Sequence, residues 1–217
     1  MKKFQSQFGQ DEFLDKKVFK EKTGGVFVDI GAHNGVELSN TYFFEKFRGW
    51  KGICIEPVPA IFEKLVQNRN SININGCIAA NKGTFRFLEV SGYAEMLSGM
   101  LDQYSEKHLE RIDREISKYG GSKKIIEVPG YNINELLQSH GLTQIDYCSI
   151  DTEGNEFEIL KTIRFDQIRI EVFTVENNYG NNAIMDFMDS NGYELIKKMS
   201  CDEVYQLKSE KKSWKLW

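Results

Sequence analysis

The sequence predicts an α/β fold: a Rossmann-like, doubly wound, mostly parallel sheet that finishes in an antiparallel C-terminal hairpin. Three observations predict it. Apolar runs rich in β-branched residues alternate with helix-like segments along most of the chain, as in βα units whose strands are buried on both faces. Four of those runs carry an acidic residue at or beside their ends: Asp29, Glu56, Asp151 and Glu176. The last two runs, 193–199 and 203–208, have no helix between them and read as a hairpin.

Composition narrows the class. With 217 residues, 41% hydrophobic and 28% charged, the chain fits one domain with a full core. A net charge of −4 and a pI near 5.6 argue against a nucleic-acid binder. No run approaches the roughly 20 apolar residues of a membrane span, and Met1-Lys2-Lys3 is not followed by the apolar core of a signal peptide. Cys54, Cys77, Cys148 and Cys201 are scattered with no CxxC pair, which suits a reducing, cytoplasmic setting better than a zinc or disulfide framework.

Taken in order, residues 1–22 set Phe4, Phe8, Phe13, Leu14, Val18 and Phe19 among polar neighbours. They predict a docking helix whose aromatic stripe packs on the main body, with lining of a substrate cleft as the other use. The run Val26–Ile30 is the first strand, with Asp29 near its end and the turn Gly31-Ala32-His33-Asn34-Gly35 after it. A strand, a tight turn and a helix start near Val36 would present backbone N–H groups to a small ligand, and a buried Asp29 needs a partner to be kept there. The glycine spacing is GxxxG, without the GxGxxG of nicotinamide folds or a Walker lysine, so the loop alone also fits an ordinary turn capped by Asn34. Glu56 follows Gly35 by 21 positions (56 − 35), near the roughly 20 expected for an acidic residue that grips a ribose.

The first helix is expected over 36–47, the second strand over 52–56 and the next helix over 59–70, where Pro59 suits a first turn. A third strand over 72–80 carries a kink at Asn75-Gly76, and an alternating strand over 85–90 follows. Residues 91–124 combine glycine-containing loops with a charged helix over 103–119, either a lid over the site or a solvated surface helix. A strand over 124–128 and a helix over 133–140, closed by Gly141, come next. The strand over 145–150 ends on Asp151-Thr152-Glu153-Gly154 and leads to a helix over 156–163. The strand over 168–175 ends on Glu176-Asn177-Asn178, and a helix over 183–191 precedes the hairpin. The basic tail 209–217 carries Trp214 and Trp217, which either tuck onto the domain or touch a membrane or partner.

In an open α/β sheet the ligand site lies beyond the C-terminal strand ends. Asp29, Glu56, Asp151 and Glu176 should therefore crowd one edge, with Glu153, Glu156 and Asn177 beside them. Two acid-tipped strands joined by one helix describe a nucleoside-binding unit.

The stretches FVDIGAHNGVELSNTYFFEKFRGWKGICIEPVPAIFEKL and IDYCSIDTEGNEFEILKTI resemble the FkbM family of S-adenosylmethionine-dependent methyltransferases, over roughly residues 25–70 and 125–180. The resemblance implies the seven-stranded class I methyltransferase fold and S-adenosyl-L-methionine as cofactor. It implies that Asp29 and the loop Gly31, His33, Asn34 and Gly35 hold the methionine part, with Ser39 or Asn40 at its carboxylate and amine. Glu56 would accept from both ribose hydroxyls with Pro57 near the adenine, which Ile78, Ala79 and Ala80 would flank. Transfer to a hydroxyl needs a base or a metal ion. Asp151 and Glu153 are candidate catalytic groups, and His33 is a second candidate base or a cofactor contact. Asp151, Glu176 and Asn177 offer oxygen ligands suited to Mg²⁺ or Mn²⁺, an arrangement similar to that of metal-dependent O-methyltransferases; capping of the following helix is the plainer use of Asp151 and Glu153. The family favours O-methylation of a sugar, glycan or related small-molecule acceptor, entering under 91–124 past Tyr93, Met96, Met100 and Tyr104. The rivals are a nucleotide-sugar or NAD-dependent enzyme on a similar sheet, and a non-catalytic cofactor-binding module.

Overall fold

The computed structural model describes residues 3–178 and 180–209. In chain order the elements are α1 (Gln10–Phe13), β1 (Val26–Ile30), α2 (Tyr42–Arg48), β2 (Lys51–Glu56), α3 (Pro59–Asn68), β3 (Ile72–Asn75) and β4 (Cys77–Ile78). Then come β5 (Gly83–Ser91), β6 (Gly99–Met100), α4 (Glu106–Tyr119), β7 (Ser122–Tyr131), α5 (Ile133–Ser139) and β8 (Gln144–Ile150). The chain closes with α6 (Glu156–Thr162), β9 (Arg169–Glu176), α7 (Ala183–Ser190), β10 (Tyr193–Met199) and β11 (Asp202–Leu207).

The main sheet has seven strands in the order β10-β11-β9-β8-β1-β2-β3. β1 sits between β2 and β8, parallel to both, and its Asp29 pairs with Cys54 on one side and Ser149 on the other. The chain steps outward from β1 through β2 to β3, and later resumes at β8 on the other flank. The strand order reverses there, which is where such sheets open a ligand crevice. β11 runs antiparallel to β9 and pairs Asp202 with Glu176.

Alternation along the buried strands divides the core. Val28 and Ile30 join Leu136, Leu160 and Met188 of α5, α6 and α7 on one face. Phe27 joins Phe43 and Phe44 of α2, Leu65 of α3 and Leu14 on the other. Period-2 alternation therefore sends Asp29 to the α2–α3 face.

Several expectations are corrected. The first helix starts at Tyr42, six residues after Val36. Asn34 Oδ1 accepts from the N–H groups of Val36 and Glu37, and Leu38 takes a left-handed φ of 56°, so 36–41 is a succession of turns. The expected strand 72–80 is two strands in two sheets: β3 ends the main sheet, and β4 joins a second sheet of order β4-β7-β5-β6. Gly76 makes the break. A Cβ there would lie 2.4 Å from the Pro129 carbonyl oxygen, so glycine alone lets the two sheets approach.

The N-terminal segment is no single helix. Asp11 gathers the backbone N–H groups of Gln5 and Ser6 and the Ser6 hydroxyl. One α-turn then widens into a π-turn over Leu14–Val18. Its aromatics do pack on the body: Phe4 lies 4.4 Å from Phe43, and Phe19 lies 4.8 Å from Trp50, between ring centroids.

The charged helix begins at Glu106, where Ser105 Oγ caps it by accepting from the His108 N–H. Residues 91–124 are packed, with Leu88, Val90, Ala94, Leu97 and Ile112 forming a small core of their own against the second sheet. Tyr93 does not face the cleft; it is 69% exposed and stacks on Tyr119. The Tyr104 hydroxyl donates to the Leu97 carbonyl. Of the tail, Trp214 and Trp217 lie outside the described residues.

Candidate active site

The C-terminal ends of β1, β2, β8 and β9 open on a cleft of about 290 Å³, covered by residues 95–100 and by Arg111 of α4. On the β1 side, Asp29 is buried and its Oδ2 accepts from Thr41 Oγ1 at 2.5 Å. Thr41 Oγ1 in turn accepts from Arg69 Nη2 at 3.0 Å. Burial pushes the Asp29 pKa up, and the Arg69 guanidinium opposes it. The Arg69 side chain is fully buried; it also donates to Glu45 at 2.8 Å, the Gly35 carbonyl at 3.1 Å and Ser39 Oγ at 3.4 Å. This one cation fixes the turns between β1 and α2, which explains why no helix forms before Thr41.

Those turns bring Asn40 into the cleft. Asn40 Nδ2 donates to Ser149 Oγ at 3.0 Å, while its Oδ1 is buried with no partner. Ser39 lines the cleft too, and its Oγ accepts from the N–H groups of Thr41 and Tyr42. Gly31 has φ +90°, and a Cβ there would lie 1.7 Å from the Asp151 carbonyl oxygen. The glycine is what allows the β1 loop to cross the end of β8.

Glu56 is buried and accepts two backbone bonds, from His33 N–H at 3.0 Å and Val58 N–H at 2.8 Å. One bond per oxygen leaves each oxygen a free lone pair. Burial pushes this carboxyl up to about 7 against those bonds. His33 is half-buried, with both ring nitrogens shielded and neither hydrogen-bonded; its Nε2 lies 3.4 Å from Glu95 Oε1. Burial holds His33 below the ordinary imidazole value, with Glu95 opposing.

At the β8 end the Glu156 carboxylate accepts from Thr152 N–H, Thr152 Oγ1 and Gly154 N–H, and so shapes the turn. That turn sets Glu153 at φ 58°, facing the cleft. Burial, then the neighbouring Asp151, push Glu153 up to about 8, with Arg111 opposing. Asp151 is raised well above the usual carboxylate range by burial and by Glu176, Asp202 and Glu156 around it. Glu176 is pushed up to about 8, first by burial and then by Glu153 and Glu156.

Most of the expected site residues face this cleft: Asp29, Gly31, His33, Ser39, Asn40, Glu56, Pro57, Ile78, Asp151, Glu153 and Glu176 line it. Four do not. Asn34 closes its own turn through Val36 and Glu37. Gly35 sits on α3, where a Cβ would meet Arg69 and Leu65. Ala79 is buried and donates its N–H to the Tyr131 carbonyl. Asn177 turns its amide away, to the Asn181 carbonyl and Glu203 Oε1. Met96 and Met100 of the expected acceptor entrance line the cleft, together with Phe87, Leu97 and Ser98. The sequence reading passed over Arg69, Glu95, Arg111 and Cys201. Among them, Arg69 alone carried a signal, as an arginine placed just after the apolar stripe of α3.

Residues 29–195 match the family model of the methyltransferase FkbM domain. The chain belongs to the FkbM methyltransferase family. No curated protein matches it in sequence. Among solved structures, this FkbM chain is similar to methyltransferase FkbM from Methylobacillus flagellatus KT, at 12% identity over 84% of this chain and 43% of that one, with a TM-score of 0.49. It therefore spans less than half of the length of the Methylobacillus protein. It is also similar to Aeropyrum pernix fibrillarin in complex with natively bound S-adenosyl-L-methionine, at 13% identity, 85% and 66% coverage and a TM-score of 0.42. A TehB-like SAM-dependent methyltransferase from Corynebacterium glutamicum gives 10% identity, 94% and 89% coverage and a TM-score of 0.42. The cofactor of the FkbM family, S-adenosyl-L-methionine, suits the donors and acceptors present. The open acceptor of Asn40 Oδ1 suits an ammonium group, and the free lone pairs of Glu56 suit two vicinal hydroxyls. Family membership decides against the nicotinamide and nucleotide-sugar alternatives.

Proposed function

We propose that this protein transfers the methyl group of S-adenosyl-L-methionine to a hydroxyl of a small-molecule acceptor, with a sugar or glycan-linked hydroxyl as the expected class. The observation that carries the reading is Glu56, a buried carboxylate that lines the cleft with one backbone N–H on each oxygen and a lone pair left on each. Asn40 and Asp29 stand at the methionine end, Pro57 and Ile78 at the adenine end, and Glu153 at the acceptor end. When bound, the sulfonium supplies an activated methyl group. The chain aligns the acceptor oxygen with it and takes up the proton that the oxygen loses as the new C–O bond forms and the C–S bond breaks. Glu153 is the base: its pKa near 8 matches a working range near neutrality. His33, held neutral by its burial, serves the cofactor side of the cleft. Asp151 and Glu176 are the members of the expected Mg²⁺ or Mn²⁺ set that face the cleft, where such an ion would lower the pKa of the acceptor hydroxyl.

The test is calorimetric titration with S-adenosylhomocysteine, followed by transfer of labelled methyl groups to a panel of sugars, glycolipid headgroups and simple alcohols. Binding together with label in an ether linkage supports the proposal. Absence of S-adenosylhomocysteine binding overturns it, and binding without transfer to any hydroxyl moves the non-catalytic module to the front.

A further inference from the structure

The acidic end of the cleft holds a thiol. β11 runs antiparallel to β9 and starts opposite its end, so the turn before β11 lies beside the point where the parallel strands finish. The Asn177 N–H donates to the Cys201 carbonyl at 2.8 Å and fixes that turn. One ligand atom each from Glu176, Cys201 and Asp202 lies within 4.8 Å of the others. Glu176 is 9% exposed, its Oε1 lies 4.0 Å from Cys201 Sγ, and its Oε2 is buried with no partner. The charges acting on Glu176 are those of Glu153, Glu156 and Asp202, all negative, and the Asn178 side chain opposes them. Asp202 Oδ2 is oriented by the Gln10 side-chain amide, which leaves Oδ1 on the thiol side at 3.8 Å.

A buried carboxylate oxygen with no donor, among further carboxylates, is stable only with a proton or a cation beside it. We infer that Glu176, Asp202 and Cys201 form a binding site for a divalent transition-metal ion, with a sulfur ligand and a fourth position open to the cleft. This deepens the function proposed above, since Glu176 and Cys201 line the same cleft. The donor set selects the ion. Two carboxylates alone suit Mg²⁺ or Mn²⁺, whereas a thiolate shifts the preference to Zn²⁺ and its mimic Co²⁺. Ligands about 2.0–2.3 Å from a tetrahedral ion stand nearer to one another than the present separation, so the side chains close inward on binding. The thiol gives up its proton to solvent as the metal–sulfur bond forms, and no oxidant or reductant takes part. Asn177 has no part in this site, because its amide is engaged elsewhere.

The experiment uses the full chain, reduced and stripped with a chelator, and titrated anaerobically with Co²⁺ in the absence of cofactor and acceptor. A sulfur-to-cobalt charge-transfer band that saturates at one equivalent and is displaced by Zn²⁺ is the expected result. Cys201→Ser abolishes the band and Glu176→Gln weakens Co²⁺ binding at least tenfold. Gln10→Ala, which removes the amide that orients Asp202 along with its bond from the Phe8 N–H, weakens it by about tenfold. No band in the unsubstituted protein, or an undiminished band in Cys201→Ser, overturns the site. S-adenosylhomocysteine affinity of the same metal-free samples shows that each variant is folded and separates the two proposals. Cofactor binding without cobalt binding removes the metal site alone, and the reverse removes the methyltransferase reading alone.

Discussion

At the β1–β2 end of the cleft, Asp29 leans on Thr41 and, through it, on Arg69, while Glu56 collects two backbone N–H groups. At the β8–β9 end, Asp151, Glu153 and Glu176 crowd one another and Glu156, with Arg111 and Asn178 as the opposing groups, and one Glu176 oxygen has no donor. Both ends are carboxylates at or just past strand tips, made by the same fold rule: Asp29, Glu56 and Glu176 are buried, and Asp151 and Glu153 are half-buried. The difference teaches that one end is finished by the chain itself, whereas the other is left to a proton, a cation or a substrate. A ligand that arrives with hydroxyls and an ammonium group meets preset acceptors at the first end. At the second end the protein keeps bases whose pKa values lie where they can exchange protons.

The sharpest way to break this contrast is to remove its counterion. Arg69→Ala leaves Asp29 and Glu45 buried without their cation, and a loss of about 3–5 kcal/mol in urea-unfolding free energy is expected. A loss below 1 kcal/mol would mean that the β1–β2 end does not depend on that network. Next in size is Glu56→Gln. An amide cannot accept on both sides as the carboxylate does, and losing a charge-assisted bond of about 2 kcal/mol weakens S-adenosylhomocysteine binding roughly 30-fold in calorimetry.

The same group gives a pH dependence. In the proposed role Glu56 has to be ionised to accept both hydroxyls, and burial pushes it up to about 7. Cofactor affinity should therefore rise with pH and level off above about 7. Stability moves the other way. Glu56, Glu153 and Glu176 are raised in the folded protein to about 7, 8 and 8 from an ordinary 4.5. Their contribution is full below the unfolded value and is lost as pH rises through the folded ones. The melting temperature of the ligand-free protein should fall across that window. A melting temperature that climbs from pH 6 to 9 would contradict the picture of uncompensated acids. The smallest effect tests the second end directly. Glu153→Gln removes one like charge, so it should raise stability at alkaline pH by about 1 kcal/mol, or about 2–4 °C, while methyl transfer falls.

Much of this was legible in the chain. The strands β1, β2, β8 and β9 read as apolar runs because parallel strands are buried on both faces, and their acidic ends mark the crevice by topology alone. Glu56 declared itself by its distance from the glycine loop. What could not be read depends on contacts between distant residues. Turns at 36–41 replace a helix because Arg69, from the end of α3, holds them. Nothing in the run 72–80 says that its halves belong to different sheets; Gly76 shows it only when Pro129 arrives beside it. Asn177 and Asn178 are both polar residues after β9, yet Asn178 faces the cleft and Asn177 the hairpin. Cys201 and Asp202 reach the site because the sheet's edge runs backward, a feature that no local spacing encodes.

The bond from Gln10 to Asp202 joins residues 192 positions apart. At ribosomal rates of about 5–20 residues per second, Gln10 is made roughly 10–40 s before the residue it must hold. The early segment has to dock on α2 and wait, and the acidic end of the cleft is assembled last, when the returning strand slides into place. Until then the growing chain has strand ends but an incomplete acidic end, so that end of the cleft should be completed abruptly with the hairpin rather than build up along the chain.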